Sequence, residues 1–109
     1  MKKYEVVRSN ILFNEIINKG EKKSNKHFII FSLGKDTIKP CFGVAVGTKI
    51  GNAVARNKIK RQVRVMIENN KKLFQISYNY IIMVKRDYNS LNYNEMEKSF
   101  ISLIEKGKK

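Results

Sequence analysis

The chain has 109 residues, of which 23 are Lys or Arg and 9 are Asp or Glu, so its formal net charge is +14. Hydrophobic residues make up 42% of the sequence, which is enough for the core of one domain and excludes a compositionally disordered chain. Such an excess of cations repels itself, and a polyanion such as nucleic acid would relieve the repulsion. General solubility is the plainer interpretation of the charge, and binding to an anionic membrane surface is a third.

Single features exclude several classes of protein. Cys41 is the only cysteine, so an intrachain disulfide or a zinc site built from cysteines is excluded. The sequence turns polar at Arg8-Ser9-Asn10, where a signal peptide would continue with an apolar core. No apolar run approaches the ~20 residues of a membrane span. We therefore expect a cytoplasmic protein that binds no membrane, with one domain over residues 1–109 and a frayed Lys-rich tail at 106–109.

The first predicted element is a helix that begins at about Ser9 or Asn10, either of which is a good N-cap, and runs to Asn18, with Gly20 as the residue that terminates it. Its apolar stripe has helical spacing and consists of Leu12, Phe13, Ile16 and Ile17. Two β-rich runs follow at residues 28–33 and 41–46. The turn residues between them predict that these two strands pair as a hairpin.

A long helix is predicted from Asn52, which can cap it, to about Asn69. Residues 80–84 have the composition of a buried strand. A final helix starts at Asn92 or Asn94, because either begins a capping box with an acidic residue three positions later. Its predicted core face is Met96, Phe100, Leu103 and Ile104. The order α-β-β-α-β-α predicts an α+β domain in which one small central sheet is covered by helices.

The strongest functional signal lies in the long helix and the turn before it. No acidic residue occurs from Thr37 to Ile67. At about 100° per residue, one side of the helix carries the apolar residues Ile59, Val63, Met66 and Ile67. The opposite side carries Asn57, Lys58, Arg61 and Arg64, with Lys60 at the border and Arg56 projecting from the first turn.

Basic residues in this arrangement suit a phosphate backbone. Lys and Arg release counterions when they neutralise phosphates, and Arg can bind one phosphate through two hydrogen bonds. The helix start at Gly51-Asn52 adds free backbone N–H groups, which favour an anion. A merely solvated basic face is the alternative, but the long stretch without acidic residues favours nucleic-acid binding.

The run Gly51-Asn52-Ala53-Val54-Ala55-Arg56-Asn57-Lys58-Ile59-Lys60-Arg61-x-x-Arg64 resembles the signature of the bacterial ribonuclease P protein subunit. That family has an Arg-Asn-Arg core, and here Lys58 keeps the charge without the guanidinium fork. The strands at 28–31 and 42–47 match too, so the resemblance spans residues 8–105. It implies a left-handed β-α-β crossover around the basic helix, a hand that general chirality rules would not predict. It also implies an RNA-binding set consisting of Lys49, Asn52, Arg56, Asn57, Lys58, Lys60, Arg61 and Arg64.

The resemblance implies the non-catalytic protein subunit of a ribonucleoprotein that removes the 5′ leader from precursor tRNA by phosphodiester hydrolysis. The implied partners are the ribonuclease P RNA subunit, which uses Mg²⁺ for catalysis, and the leader itself; no protein partner is evident. The leader would lie in a cleft between the first helix and the sheet, lined by Phe13, Ile17, Ile29 and Phe31. Alternation places Ile29 and Phe31 on one face, and the small residues Gly43 and Ala45 predict an open groove beside them. An ordinary core role is the alternative for all four cleft residues.

The polypeptide itself offers no convincing active site. His27 is the only histidine, so acid/base catalysis by a histidine pair is excluded, and we expect a surface or capping role for it. Asp36 and Asp87 are far apart and fit no metal-binding pattern; whether a carboxylate helps hold a metal is open. A ribosomal or RNA-chaperone protein would explain the charge but not the 51–64 run. A membrane-surface helix would need Trp or Phe, and this one offers Ile, Val and Met.

Overall fold

The computed structural model describes residues 7, 10–34, 41–74, 78–85 and 92–105. Its elements in chain order are α1 (Asn10–Lys19), β1 (Glu21–Ser24), β2 (Phe28–Gly34), β3 (Cys41–Val46), α2 (Ala53–Asn69), β4 (Tyr78–Val84) and α3 (Tyr93–Glu105). Short 3-10 turns at Thr48–Ile50 and Lys71–Leu73 flank α2. The predicted α+β class and element order are confirmed, with β1 as one additional short strand. The tail at 106–109 lies outside the described residues.

β4 lies in the interior of the sheet, although it is the last strand along the chain. The strand order is β1-β2-β4-β3, with β2 antiparallel and β3 parallel to β4. Ile82 of β4 pairs with Ile30 of β2 on one side and with Val44 of β3 on the other. The predicted hairpin between β2 and β3 is therefore wrong. The physical reason is that β4 is apolar on both faces, with Ile81 and Ile82 fully buried, and an interior position buries both.

The parallel pairing of β3 with β4 requires a connection that returns from one end of the sheet to the other. α2 lies in that connection and packs on the sheet through its predicted apolar side. The residues predicted for this side, Ile59, Val63, Met66 and Ile67, are all buried. The β-α-β unit implied by the resemblance is thus present, and its left hand stays a prediction.

The larger core lies on the sheet face that α2 and α3 cover. Its aromatic rings interlock: the centroid of Phe74 is 4.9 Å from those of Phe42 and Tyr80, and Phe28 meets Phe100 edge-on at 5.3 Å. Edge-on and offset ring pairs are favoured beyond their buried area. The predicted core face of α3 is confirmed, because all four of its residues are buried.

α1 covers the other face of the sheet and buries a smaller core of Ile16, Phe31 and Ile81. Near its start, the backbone N–H of Val7 donates to the carbonyl of Phe42 on β3 (2.9 Å). At its end, Gly20 lies so close to β2 that an added Cβ would be 2.6 Å from the carbonyl oxygen of Ser32. Only a residue without a side chain fits there, so Gly20 lets α1 cross the sheet from β3 to β2.

Both helices on the larger core begin at an asparagine cap. The Asn52 side chain accepts a hydrogen bond from the Ala55 N–H (2.9 Å), as predicted for α2. For α3 the structure selects the first of the two predicted starts: the Asn92 side chain accepts from the Glu95 N–H (2.9 Å), and Glu95 Oε1 lies 3.5 Å from the Asn92 nitrogen. The capping box is therefore the Asn92–Glu95 pair.

Candidate nucleic-acid interface

The outward side of α2 is cationic, as predicted from its periodicity. Asn57, Lys58, Arg61 and Arg64 are exposed, and Lys60 and Arg56 are half-buried. Lys49 and Asn52, which precede the helix, are exposed as well. We call these eight residues the cationic face. Within the described part of the chain, none of its Lys or Arg side chains forms an ion pair.

The charged residues of α2 are placed unfavourably with respect to the helix macrodipole. The N-terminal end of a helix favours anions and the C-terminal end favours cations. α2 has no acidic residue in its first turn and no basic residue in its last. Arg56 lies in the first turn and Glu68 near the end, where it pairs instead with Lys71 beyond the helix (3.0 Å). An anion bound near the helix start would therefore relieve an unfavourable arrangement.

On the α1 side of the sheet, one row of residues is only partly covered and would form the floor of the predicted cleft. By strand register, Ile29, Met83 and Ala45 form one row across β2, β4 and β3 on that side. All three are half-buried, whereas the next row, Phe31, Ile81 and Gly43, is buried under α1. The half-buried row lies at the end of the sheet where β3 leaves Val46 and enters the turn that carries Lys49. The cleft floor and the start of α2 thus share one end of the molecule.

The structure places the four predicted cleft residues differently from one another. Ile29 and Phe31 share the α1 side, as alternation predicts. Phe13, Ile17 and Ile29 are half-buried, but Phe31 is only 8% exposed and packs in the core with Ile16 and Ile81. Contact between any of these residues and RNA stays a prediction, and burial favours the core role for Phe31.

The groove predicted at Gly43 and Ala45 is filled at Gly43. A Cβ there would lie 2.7 Å from Ile81 Cδ1 and 3.3 Å from Phe13 Cε2, so the missing side chain makes room for the Phe13 ring. The half-buried residues on this side lie one row further, at Ala45 and Met83. Sequence reasoning did not identify Met83, because its exposure depends on the register of β4 with its two neighbours.

His27 has a structural position. It is 9% exposed, so the predicted surface role is wrong. Its ring Nδ1 lies 3.0 Å from Ser99 Oγ on α3, and its backbone N–H donates to the side chain of Asn25. The same Asn25 accepts from Lys85 Nζ through its carbonyl (2.7 Å). These hydrogen bonds connect the turn between β1 and β2 to α3 and to Lys85, which follows β4.

Over the described ranges, the structure contains no group of three His, Cys, Asp or Glu residues placed to hold a metal ion. Asp36 and Asp87 lie outside those ranges. Of the helices that the structure describes, none combines the length and apolarity needed to cross a bilayer.

The chain is a small α+β domain, and the helix of its parallel β-α-β unit carries cations that form no ion pair within the described residues. These features are those of a nucleic-acid-binding protein. Comparison with known families is more specific: the sequence model of the family described as Ribonuclease P matches residues 1–108. The ribonuclease P protein component of Mycoplasma mycoides is 41% identical over 105 residues, covering 95% of this chain and 96% of the relative. That of Streptococcus agalactiae is 34% identical, covering 95% and 94%. The chain therefore belongs to the ribonuclease P protein family.

Solved structures agree with this assignment at the level of the fold. The RNase P protein of Thermotoga maritima superposes with a TM-score of 0.85 at 20% identity, covering 96% of this chain and 99% of that one. The RNase P protein of Staphylococcus aureus also gives 0.85, at 24% identity, covering 93% of each chain. Both similarities show a shared fold, while the RNA partner is implied by membership of the ribonuclease P protein family.

Proposed function

We propose that this chain is the protein subunit of a cytoplasmic ribonuclease P, in which a catalytic RNA subunit removes the 5′ leader from precursor tRNA. The cationic face of α2 would bind the RNA subunit, and the cleft beside α1 would hold the leader. The observation that carries the proposal is the exposed, unpaired cationic face in a chain of this family. The protein's contribution is electrostatic and positional, while bond cleavage takes place on the RNA.

Docking through the cationic face follows from charge and exposure. Arg61 and Arg64 are exposed and have no ionic partner in the described residues, so binding a phosphate breaks no existing ion pair. Two RNA molecules repel each other, and a protein of net charge +14 between them lowers that repulsion. If about six phosphates are contacted, the affinity for RNA should fall about a thousandfold between roughly 50 and 200 mM salt.

Leader binding is supported by the chemistry of the cleft floor. Ile29, Met83 and Ala45 present no hydrogen-bonding side chains, so the floor suits the faces of unpaired bases without selecting a sequence. Phe13 is the half-buried aromatic residue at the cleft, and an aromatic face can stack on any base. Since the floor and the start of α2 share one end of the sheet, a leader in the cleft would lie near RNA docked on α2.

Mg²⁺ belongs, in this proposal, to the RNA subunit. The metal supplies charge stabilisation at the scissile phosphate when it is bound. The described protein residues provide no cluster of ligands for it. What the chain supplies is the position of the leader relative to the cleaved bond.

The test is reconstitution of the 5′ cleavage reaction. Precursor tRNA is mixed with a ribonuclease P RNA subunit at low magnesium, with and without the full-length protein, and cleavage at the mature 5′ end is measured. We expect strong stimulation by the protein and no cleavage by the protein alone. A small ribosomal protein of similar charge is the matched control. Stimulation no greater than that of this control would contradict the proposal.

Cleft and docking functions can be separated with Phe13→Ala. We expect this variant to lose roughly 1–3 kcal/mol of affinity for precursor tRNA, the range for one stacked base. Its affinity for mature tRNA, which has no leader, should be nearly unchanged. Phe31→Ala is the comparison, because loss of a buried Phe costs about 3–5 kcal/mol of stability and should weaken all binding together. If Phe13→Ala lowered the affinity for precursor and mature tRNA equally, at an unchanged melting temperature, the proposal that the cleft binds the leader would be wrong.

A further inference from the structure

Two large aliphatic side chains on α2 face solvent and take no part in the core. Val54 is 77% exposed and Val65 is 50% exposed. At about 100° per residue, both fall on one narrow stripe with Lys58 and Arg61, roughly opposite the buried side of the helix. The two valines mark the ends of this stripe, about three helical turns or about 16 Å apart. We call these four residues the outer stripe.

The fold gives no reason for valine at these two positions. A β-branched side chain loses rotamer freedom in a helix, and burial of the side chain can offset this entropic cost. Neither valine is buried in the free protein. Over the described residues, the only other large hydrophobic side chain with comparable exposure is Ile11 on α1. Ile11 stands among polar neighbours, Asn14 and Glu15, and has no cation beside it on a common stripe.

We propose that Val54 and Val65 bind the sugar and base surfaces of the same RNA whose phosphates Lys58 and Arg61 neutralise. The inference rests on the proposed function and deepens it, because it assigns an apolar component to the docking contact. A partner for the outer stripe must be anionic in the middle and apolar at both ends. RNA fits, since the shallow groove of an A-form helix displays riboses and base edges between two lines of phosphates.

The charge of α2 favours RNA over the other partners that could cover the stripe. The chain has no acidic residue between Thr37 and Ile67, so the stripe itself attracts a polyanion. The nearest acidic residue along this side of the helix is Glu68, one turn beyond Val65, and it pairs with Lys71. A lipid surface would be met best by a continuous apolar side, and here two cations separate the valines. An acidic protein with two apolar pockets is the remaining alternative, and the experiment distinguishes it.

The two kinds of contact respond differently to salt. Each phosphate contact releases counterions, so it contributes to the slope of affinity against salt concentration. Burial of an aliphatic group against a ribose or base contributes no such dependence. Loss of a valine contact should therefore weaken binding by the same factor at every salt concentration, and loss of a lysine contact should also flatten the slope.

The experiment titrates the full-length protein with ribonuclease P RNA at several salt concentrations. The variants are Val54→Thr and Val65→Thr, which keep the branched shape and replace one methyl group with a hydroxyl. Lys58→Ala is the ionic comparison, and Ile11→Thr is the matched control for an exposed aliphatic residue off the stripe. Thermal melts check that all four variants stay folded, which is expected because the mutated positions are exposed.

We expect Val54→Thr and Val65→Thr each to weaken RNA binding about three- to tenfold at all salt concentrations, from the burial of about one methyl group, with unchanged slope. Lys58→Ala should reduce the slope by about one unit, and Ile11→Thr should have no effect. If Lys58→Ala behaves so but the valine variants bind like wild type, the inference is wrong and the docking proposal stands. If Lys58→Ala also has no effect, the docking proposal itself fails. Equal weakening by Ile11→Thr would likewise overturn the inference, and wild-type RNA binding by both valine variants is the result expected if the stripe binds an acidic protein instead.

Discussion

α2 and α3 pack on the same face of the sheet and begin at the same kind of cap, yet their charges are arranged in opposite ways. α3 has Glu95 in its first turn, where a carboxylate interacts favourably with the helix dipole and completes the capping box. α2 has no acidic residue in its first turn and carries Arg56 there. The charges at the start of α3 stabilise that helix, whereas those at the start of α2 do not and instead favour binding of an anion.

The comparison shows where a small domain can place unfavourable charges. The buried side of α2 consists of Ile59, Val63, Met66 and Ile67, each at most 4% exposed. Burial of such a side chain contributes about 1.5–3 kcal/mol, whereas a misplaced charge near a helix end costs about 0.3–1 kcal/mol. Packing therefore outweighs the dipole, and the outward side of α2 is free to serve binding.

The largest effect should come from breaking the packing of α3 while leaving the cationic face of α2 intact. Phe100 is fully buried and meets Phe28 edge-on, so Phe100→Ala should cost about 3–5 kcal/mol in the free energy of unfolding, measured with urea. Arg61→Ala is the opposite change: it should alter stability by less than about 0.5 kcal/mol while weakening RNA binding. If Arg61→Ala destabilised the protein as much as Phe100→Ala, the division between packing and binding residues would be wrong.

A smaller effect should follow from giving α2 the helix start of α3. Asn52→Asp keeps an oxygen that can accept from the Ala55 N–H and adds a negative charge at the N-terminal end. We expect it to raise the free energy of unfolding by about 0.3–1 kcal/mol and to weaken RNA binding by at least about threefold, because the carboxylate repels phosphate.

The matched control for that exchange is Asn92→Asp on α3. It changes the same residue type at the same helix position, but on a helix without a cationic face. RNA affinity should stay at the wild-type value, measured alongside Asn52→Asp at equal salt. A similar loss of affinity in both variants would mean that net charge alone, and not the start of α2, controls RNA binding.

The smallest effect concerns Tyr93, which begins α3. Burial, and secondly the neighbouring charge of Glu97, raise the pKa of the Tyr93 hydroxyl above its ordinary value of 10.0. The folded state therefore keeps this proton at a pH where the unfolded chain has lost it. As far as this group is concerned, the free energy of unfolding therefore has its full value below about pH 10, and it decreases as the pH rises through the folded-state pKa.

Tyr93→Phe should accordingly make the alkaline decline in stability less steep. At neutral pH the variant should be as stable as wild type or slightly more stable, because the buried hydroxyl has no hydrogen-bond partner in the described structure. Urea unfolding between about pH 9 and pH 11 is the measurement. A variant clearly less stable than wild type at neutral pH would show that the hydroxyl makes a stabilising contact.

Features set by neighbouring residues could be predicted from the sequence. The cap at Asn52 and the buried sides of both helices depend on contacts within a few positions along the chain, and all are confirmed. The sequence also predicted a capping box at Asn92 or Asn94, and the structure has it at Asn92. The cationic face was predictable for the same reason.

Features set by distant residues were not predictable in the same way. The predicted hairpin between β2 and β3 is wrong because both strands pair with β4, which lies far along the chain. β1 has the charged sequence Glu-Lys-Lys-Ser, so no apolar alternation marks it, and it forms by pairing with the edge of β2. The exposure of Met83 and the burial of Phe31 likewise depend on that register and on α1.

The interior position of β4 has a consequence for how the protein is made. Among the described residues, β3 has no ladder partner other than β4, and β2 otherwise has only the short β1. During synthesis, β2, β3 and α2 are all made before residues 78–84, which join the two strands in the sheet. Folding must then wait for pairing over a long sequence separation, which is slow in comparison with local hairpin closure. Until that moment, the cationic helix is present on an open chain, where a polyanion could reach it before the sheet is complete.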